Sequence, residues 1–238
     1  MEKWIQDLEY IIMPTRHPLK GLEKKYQAAY ECWRKAWEKY RHEVGVYEDL
    51  YSDSFIIPDE MGVLFYQGRC VGLACFTYGD LSLDTTKHNS WFKGWPSSAL
   101  DRLKQISPEV VIGSQFTVSP EFTGRDHIVR WKEIVFLYTF MRFNRSIGGV
   151  MAGTLNLQRK MNAAAGEDFG ATIIEPEIPY HYGQGLSVQL VAYERAGLKN
   201  MINRKNIQGL CDDLWSRMIH HSEYAVIEDN VIPLKKAA

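Results

Sequence analysis

Tyr180, His181 and Tyr182 stand side by side in a loop bounded by Pro179 and Gly183. Two phenols around an imidazole can bind a small polar group and pass protons near neutral pH. A second group of candidates lies in residues 108–145. There a run rich in β-branched and aromatic residues, 110–118, turns through Ser119-Pro120-Glu121-Phe122-Thr123-Gly124-Arg125 and leads into a strongly apolar helix predicted over 127–144. A strand, a short loop and a helix start bring unpartnered first-turn N–H groups beside the end of a strand, and such a place receives anions. Glu121 in that turn and His127 at the predicted helix start are proton-transfer candidates, each with a plainer reading as a loop or helix cap. Other chemistries find no support. Cys32, Cys70, Cys75 and Cys211 show no CxxC spacing and no clustering with histidines, so reduced, mostly buried thiols are expected and no metal site. His220 and His221 are adjacent in a segment that reads as helical, where neighbours point to different faces. No GxSxG elbow and no Walker or dinucleotide glycine pattern occurs.

The elements that must position these residues can be read from periodicity. Leu22, Tyr26, Tyr30, Trp33, Trp37 and Tyr40 fall at steps of three and four, one apolar helical stripe read as core. A first strand is expected near residues 8–13. Residues 61–66 and 70–78 are β-prone runs around Gln67-Gly68-Arg69 and predict a hairpin. Residues 79–93 are polar and read as an exposed loop or lid, and 96–106 as a short helix. After the central unit come a small-residue strand at 148–155, a helix over 157–165 capped by Asn156, a brief strand at 172–174 broken by Pro176 and Pro179, a strand at 186–193, and helix over 197–225 before an extended tail. Alternation of this kind implies an α/β (α+β) chain with a mixed sheet.

The 238 residues are 45% hydrophobic and 24% charged, so an ordered globular chain is expected. Net charge of −1 argues against a polyanion-binding surface, so no nucleic-acid partner is expected. No apolar run reaches the roughly 20 residues of a membrane span, and no early run has the flanks of a signal peptide, so a cytoplasmic protein is expected. Aromatics make up 13%, and several (Trp91, Phe92, Trp95, Tyr180, Tyr182) fall in predicted loops, where they either line a pocket or complete the core.

The order helix, hairpin, long strand, Pro-containing loop, long helix, strand, Asn-headed helix, two strands resembles the GNAT superfamily of N-acyltransferases over roughly residues 21–193. Val118-Ser119-Pro120-Glu121-Phe122 matches the family's V-x-P-E-aromatic run, and the 150–169 segment carries the rest. The positions where the family places a basic or amide residue and two small residues fall here on Thr123, Asp126 and Ile128. Gly124 and Arg125 then form a shortened loop, with Arg125, His127 or Arg130 supplying charge. This irregularity is similar to the branches that make N-acyl amino acids or acyl-homoserine lactones.

The resemblance implies a single GNAT-like domain, a mostly antiparallel sheet flanked by helices over 1–196, with 197–238 as a helical extension packed on it. It implies acyl-CoA or acyl carrier protein as donor, a small amine such as an amino acid as acceptor, and no metal. The donor's pantetheine arm would run along Phe116, Thr117 and Val118, with the Val118 N–H on the thioester carbonyl. Thr123 to Ile128 and Asn156 would complete the donor site. Glu121, His181 and Tyr182 are the proton-transfer candidates, and Tyr78, Trp91 and Tyr180 the acceptor-binding ones. The Tyr that family members often carry in the helix after the small-residue strand is missing from residues 160–165. Two alternatives remain at this level: a GNAT-fold binding or regulatory protein without catalysis, and aminoacyl transfer from tRNA, which the near-neutral charge disfavours.

Overall fold

In the computed structural model, which describes residues 3–124, 129–180 and 186–221, the β-prone runs join one sheet. In chain order its strands are β1 (Leu8–Pro14), β2 (Glu60–Tyr66), β3 (Arg69–Asp80), β4 (Glu109–Val118), β5 (Val150–Asn156), β6 (Ala171–Pro179), β7 (Ser187–Glu194) and β8 (Met218–His220). Across the sheet the order is β6-β7-β5-β4-β3-β2-β1-β8. The β4–β5 and β1–β8 pairs are parallel and the rest antiparallel, so the sheet is mixed and mostly antiparallel, as the sequence predicts. The β2–β3 turn is two residues long, with Gln67 and Gly68 both at positive φ (49° and 74°). That geometry matches the right-handed twist of the strands it joins.

The helices are α1 (Glu23–Glu43), α2 (Asp53–Ile56), α3 (Asp84–Lys87), α4 (Ser97–Ile106), α5 (Trp131–Asn144), α6 (Met161–Ala165), α7 (Arg195–Lys205) and α8 (Gln208–Ser216). One sheet face packs on α5, α7 and α8. Eleven of the fourteen α5 residues are buried, as expected for a helix apolar on nearly every side and held between the sheet and α8. The opposite face has two covers. α1 and Phe55 of α2 lie over β1, β2 and β3, while α4, Leu81, Phe92 and Trp95 lie over the first halves of β4 and β5 and over β7.

Tertiary packing changes several expected boundaries. The central helix begins at Trp131, not at residue 127, where the buried Trp131 indole meets Trp4, Tyr66 and Phe122 edge-on or tilted. Residues 79–93 are exposed over much of their length, as expected, but Leu81 and Phe92 are buried because the α4 face of the sheet needs an apolar cover. The strand expected at 172–174 runs through Pro176 to Pro179, which the edge position of β6 allows, since a missing N–H there interrupts no inner ladder. The helix expected over 157–165 shrinks to α6 after a turn. The C-terminal helix divides at Asn206, which takes a left-handed conformation (φ 51°), and the chain then adds β8 to β1 instead of staying helical. This strand covers an edge that β1 would otherwise leave open. α4 starts with Pro96 at its cap, with no side-chain hydrogen bond there. Leu198, Met201, Ile202, Cys211 and Leu214 join the same core cluster as α5. The four cysteines are free, with Cys32, Cys75 and Cys211 buried.

Candidate active site at the splayed strands

The site begins with a parting of two parallel strands. β4 and β5 pair only at Val110–Val150, Val111–Met151 and Ile112–Ala152. Beyond Ile112, β4 continues to Val118 paired with β3 alone, and β5 continues from Gly153 to Asn156 paired with β7 alone. A wedge therefore opens between residues 113–118 and residues 153–156, with strand edges on both sides. β4 also carries a bulge here. Two residues, Gln115 and Phe116, stand opposite the single Ala74 of β3, and Gln115 is left-handed (φ 52°). The bulge reverses side-chain alternation. Val111 faces α5, and simple period-two reading would put residues 115 and 117 there too. Instead Phe116 and Val118 face α5, while Gln115 and Thr117 face α1.

The backbone of Val118 is aimed at the wedge. Ser119 N–H donates to Val71 O of β3 at 2.8 Å, and backbone groups alternate sides along a strand. The N–H of Val118 therefore points away from β3, toward the gap. A lone donor at the lip of a gap can hold a carbonyl oxygen and stabilise it as it gains charge.

Both faces of the wedge are lined by aromatics. On the α5 side, Phe116 stacks on Phe136 (centroids 3.9 Å apart, 10° between planes). Phe136 stacks on Phe140 at 5.8 Å, and Phe140 meets Tyr193 of β7 at 4.9 Å. On the other side, α1 attaches to both lips through polar tips. Trp33 Nε1 donates to Gln115 Oε1 (2.9 Å), Trp37 Nε1 donates to Thr117 Oγ1 (3.0 Å), and Asn156 Nδ2 donates to the Tyr40 hydroxyl oxygen (3.0 Å). The helical stripe read as core packs on the sheet from Leu22 to Trp37, with Trp33 fully buried and Leu22, Tyr26, Tyr30 and Trp37 half-buried. The half-buried Tyr40 lies beyond that cluster, over the wedge.

Asn156 does not cap a helix as expected. Its Oδ1 accepts from the Arg159 N–H (2.9 Å) in the turn before α6. Since Arg159 N–H can only donate, the amide orientation is fixed and its nitrogen faces Tyr40. The Arg159 guanidinium lies over the Tyr40 ring, 4.2 Å from the centroid, and pairs with Glu43. Burial pushes the Tyr40 phenol up, against the opposing pull of Arg159 and of the Asn156 hydrogen bond.

The remaining expected residues divide by place. Glu121 and Arg69 form an ion pair with more than half of each side chain exposed, so Glu121 is a surface loop residue rather than a proton-transfer group in the wedge. Thr123 closes the 3-10 turn at Pro120–Phe122 by donating to Pro120 O (2.8 Å), and with Gly124 it is exposed. Trp91 and Tyr180 do come together. With Lys93, Trp95, Thr154, Ile178, Pro179, Val188 and Leu190 they line a shallow groove of about 30 Å³ on the α1/α4 face, beside the β5 lip. Tyr78 lies elsewhere and is corrected as an acceptor contact. It faces α5 on the opposite side of the sheet, and its hydroxyl donates to Glu60 Oε1 (2.6 Å) beside buried Arg142. Burial and the Glu60 carboxylate both push the Tyr78 phenol up. Arg125, Asp126, His127, Ile128, His181 and Tyr182 lie outside the described residues.

Sequence reading missed two cations. Lys132 sits half-buried in the first turn of α5, and among the described residues no carboxylate bonds it. Burial, and then Arg159, hold its ammonium below the usual lysine range. A lysine at a helix N-terminus opposes the helix dipole, and beside Arg159, which Glu43 already pairs, it favours the approach of an anion. That misplaced charge was the signal in the sequence.

The chain matches no family model and no curated protein. Among solved structures it superposes on FeeM, an N-acyl amino acid synthase from uncultured soil microbes, with a TM-score of 0.55 at 10% identity, over 84% of this chain and 98% of FeeM. The fold is GNAT-like. The CoA-dependent acyl-homoserine lactone synthase BjaI matches at a TM-score of 0.49 with 12% identity, over 90% of this chain and 94% of BjaI. The AHL synthase LasI matches at 0.45 with 14% identity, over 76% and 89%. At 10% identity the likeness to FeeM speaks for the fold alone, and the site must be argued from its own residues. In this GNAT-like sheet the wedge, the bulge and the Val118 N–H coincide at the end of one strand.

Proposed function

We propose that the protein is an N-acyltransferase that moves an acyl group from a phosphopantetheine thioester, acyl-CoA or acyl carrier protein, to the amine of a small molecule. The observation that carries this reading is the wedge between β4 and β5, whose β4 lip presents an N–H at Val118 with no strand opposite it. An extended amide-bearing arm fits such a gap as an added strand, because it supplies the missing hydrogen bonds. The thioester carbonyl then lies against Val118 N–H, which stabilises the tetrahedral oxyanion. The aromatic row from Phe116 to Tyr193 gives an apolar acyl chain a dry wall. Lys132 and Arg159, beside the N-terminus of α5, suit the phosphate that both donor types carry.

The acceptor approaches from the α1/α4 face. The groove of Trp91, Trp95, Thr154 and Tyr180 opens there, with Lys93 at its edge able to meet a carboxylate. About 30 Å³ holds one small group rather than a whole amino acid, so the acceptor's body extends beyond the groove. An amino acid is the acceptor class with the matching charge. FeeM, named as an N-acyl amino acid synthase, supports the same choice.

The test is thiol release. Purified protein is given acyl-CoA of graded chain length, and separately acyl carrier protein, with pooled amino acids, and the amide product is identified by mass. Release dependent on an amine supports the proposal. No release from either donor type, together with no thermal shift on adding them, refutes it and leaves a binding protein on this fold.

A further inference from the structure

We propose that the Tyr40 hydroxyl donates the proton taken up by the departing thiolate. The inference rests on the acyl-transfer reading and adds to it a group from a helix that the sequence assigned to the core. Tyr40 belongs to α1, remote in sequence from both strands of the wedge, yet it stands at the mouth of the gap. Its oxygen is 3.0 Å from Asn156 Nδ2 at the end of β5. Trp37, one turn earlier and edge-on to Tyr40 at 5.6 Å, reaches Thr117 at the end of β4. The hydroxyl thus stands at the β5 lip, while the neighbouring Trp37 reaches the β4 lip.

Its hydrogen bonding fits a donor. The Arg159 N–H fixes the Asn156 oxygen, so the Asn156 nitrogen faces Tyr40 and the phenol oxygen accepts. Among the described residues no hydrogen bond uses the phenol's own proton, which is left for a ligand in the gap. Arg159 over the ring steadies negative charge on the oxygen once the proton has gone.

The step balances. The amine nitrogen bonds to the thioester carbon, whose oxygen becomes an oxyanion on Val118 N–H. As the carbonyl reforms, the C–S bond breaks and its electron pair leaves on sulfur. Sulfur takes the Tyr40 proton, and the resulting tyrosinate takes the proton shed by the new amide nitrogen. Thioester and amine become amide and thiol, and Tyr40 ends as it began.

Tyr40→Phe removes the hydroxyl and keeps the ring, and two donors with the same acyl group report on it. An alkyl thioester such as acyl-CoA leaves as a basic thiolate and needs the proton. An aryl thioester leaves as a far weaker base and does not. The expected result is a loss of about a hundredfold or more in kcat/KM on the alkyl thioester, while the aryl ratio of variant to wild type stays near one. Full activity on the aryl donor also shows that the variant is folded. Equal losses on both donors would mean that Tyr40 only ties α1 to β5, and unchanged rates on both would mean that the hydroxyl is idle. Either result overturns the proposal while leaving acyl transfer standing. A wild type that releases no thiol from any donor overturns both.

Discussion

Arg142 and Glu60 form an ion pair whose side chains are 0% and 2% exposed, between α5 and the start of β2. Arg142 Nε and Nη2 each reach Glu60 Oε1 at 2.8 Å, and the Tyr78 hydroxyl donates to the same oxygen at 2.6 Å. Arg142→Met keeps much of the side-chain volume and takes away the charge. Glu60 is then a buried carboxylate held by Tyr78, without its guanidinium. Breaking a buried pair by removing one partner costs about 3–5 kcal/mol, because the remaining charge has lost its compensation. At this chain length that lowers Tm by roughly 10 °C. Adding Glu60→Leu to Arg142→Met removes the stranded charge and recovers more than half of the loss. A deficit of about 1–2 kcal/mol remains, since the Tyr78 hydroxyl keeps no carboxylate to bond. Scanning calorimetry of wild type, both single variants and the double variant at pH 7.5 provides the complete cycle. The reasoning is refuted if Arg142→Met costs less than about 1 kcal/mol, or if the double variant is no more stable than Arg142→Met alone.

Three further outcomes follow from other parts of the chain. Burial, with Arg142 adding to it, lowers the His220 pKa from 6.5 to about 4, so unfolding takes up a proton between those values. Stability is therefore full above pH 6.5 and falls as the pH drops toward 4, by about 2 kcal/mol after discounting for partial exposure, and His220→Gln should flatten this part of the pH–stability curve measured by urea unfolding. Gly170→Ala should cost at least about 2 kcal/mol by thermal melting, because φ is +81° and the new Cβ would stand 2.6 Å from the backbone oxygen of Gly197, which no side-chain rotation can clear. Lys132→Met should weaken acyl-CoA binding by about tenfold in calorimetric titration at low salt, and by less at high salt; equal affinity at both salts would remove Lys132 from the donor site.

The segment 108–145 shows how far the sequence reaches. Its β-branched run, the Pro-containing turn and the apolar helix identified the strand that ends at Val118, because periodicity and turn chemistry are local properties. The order of elements around it was enough to indicate a GNAT-like sheet. Local pattern could not reveal the left-handed Gln115, since nothing in the run demands positive φ there. That single conformation decides which side chains of residues 115–118 face α1 and which face α5. Tyr78 was misplaced for a related reason: an aromatic near a strand end carries no mark of the face it will occupy, and only the partner Glu60 on β2 reveals it.

The α1 stripe marks the same division. Spacing alone determined that Tyr26 to Tyr40 form one amphipathic helix that buries its aromatics. Only the tertiary structure decided that the helix outruns the apolar cover it helps to form, so that Trp33 and Trp37 reach β4 from within that cover while Tyr40, one turn on, meets β5 beyond it. Helical periodicity is fixed within one segment by backbone geometry. What lies opposite its last turn depends on where β4 and β5 part, and that follows from the packing of the whole sheet.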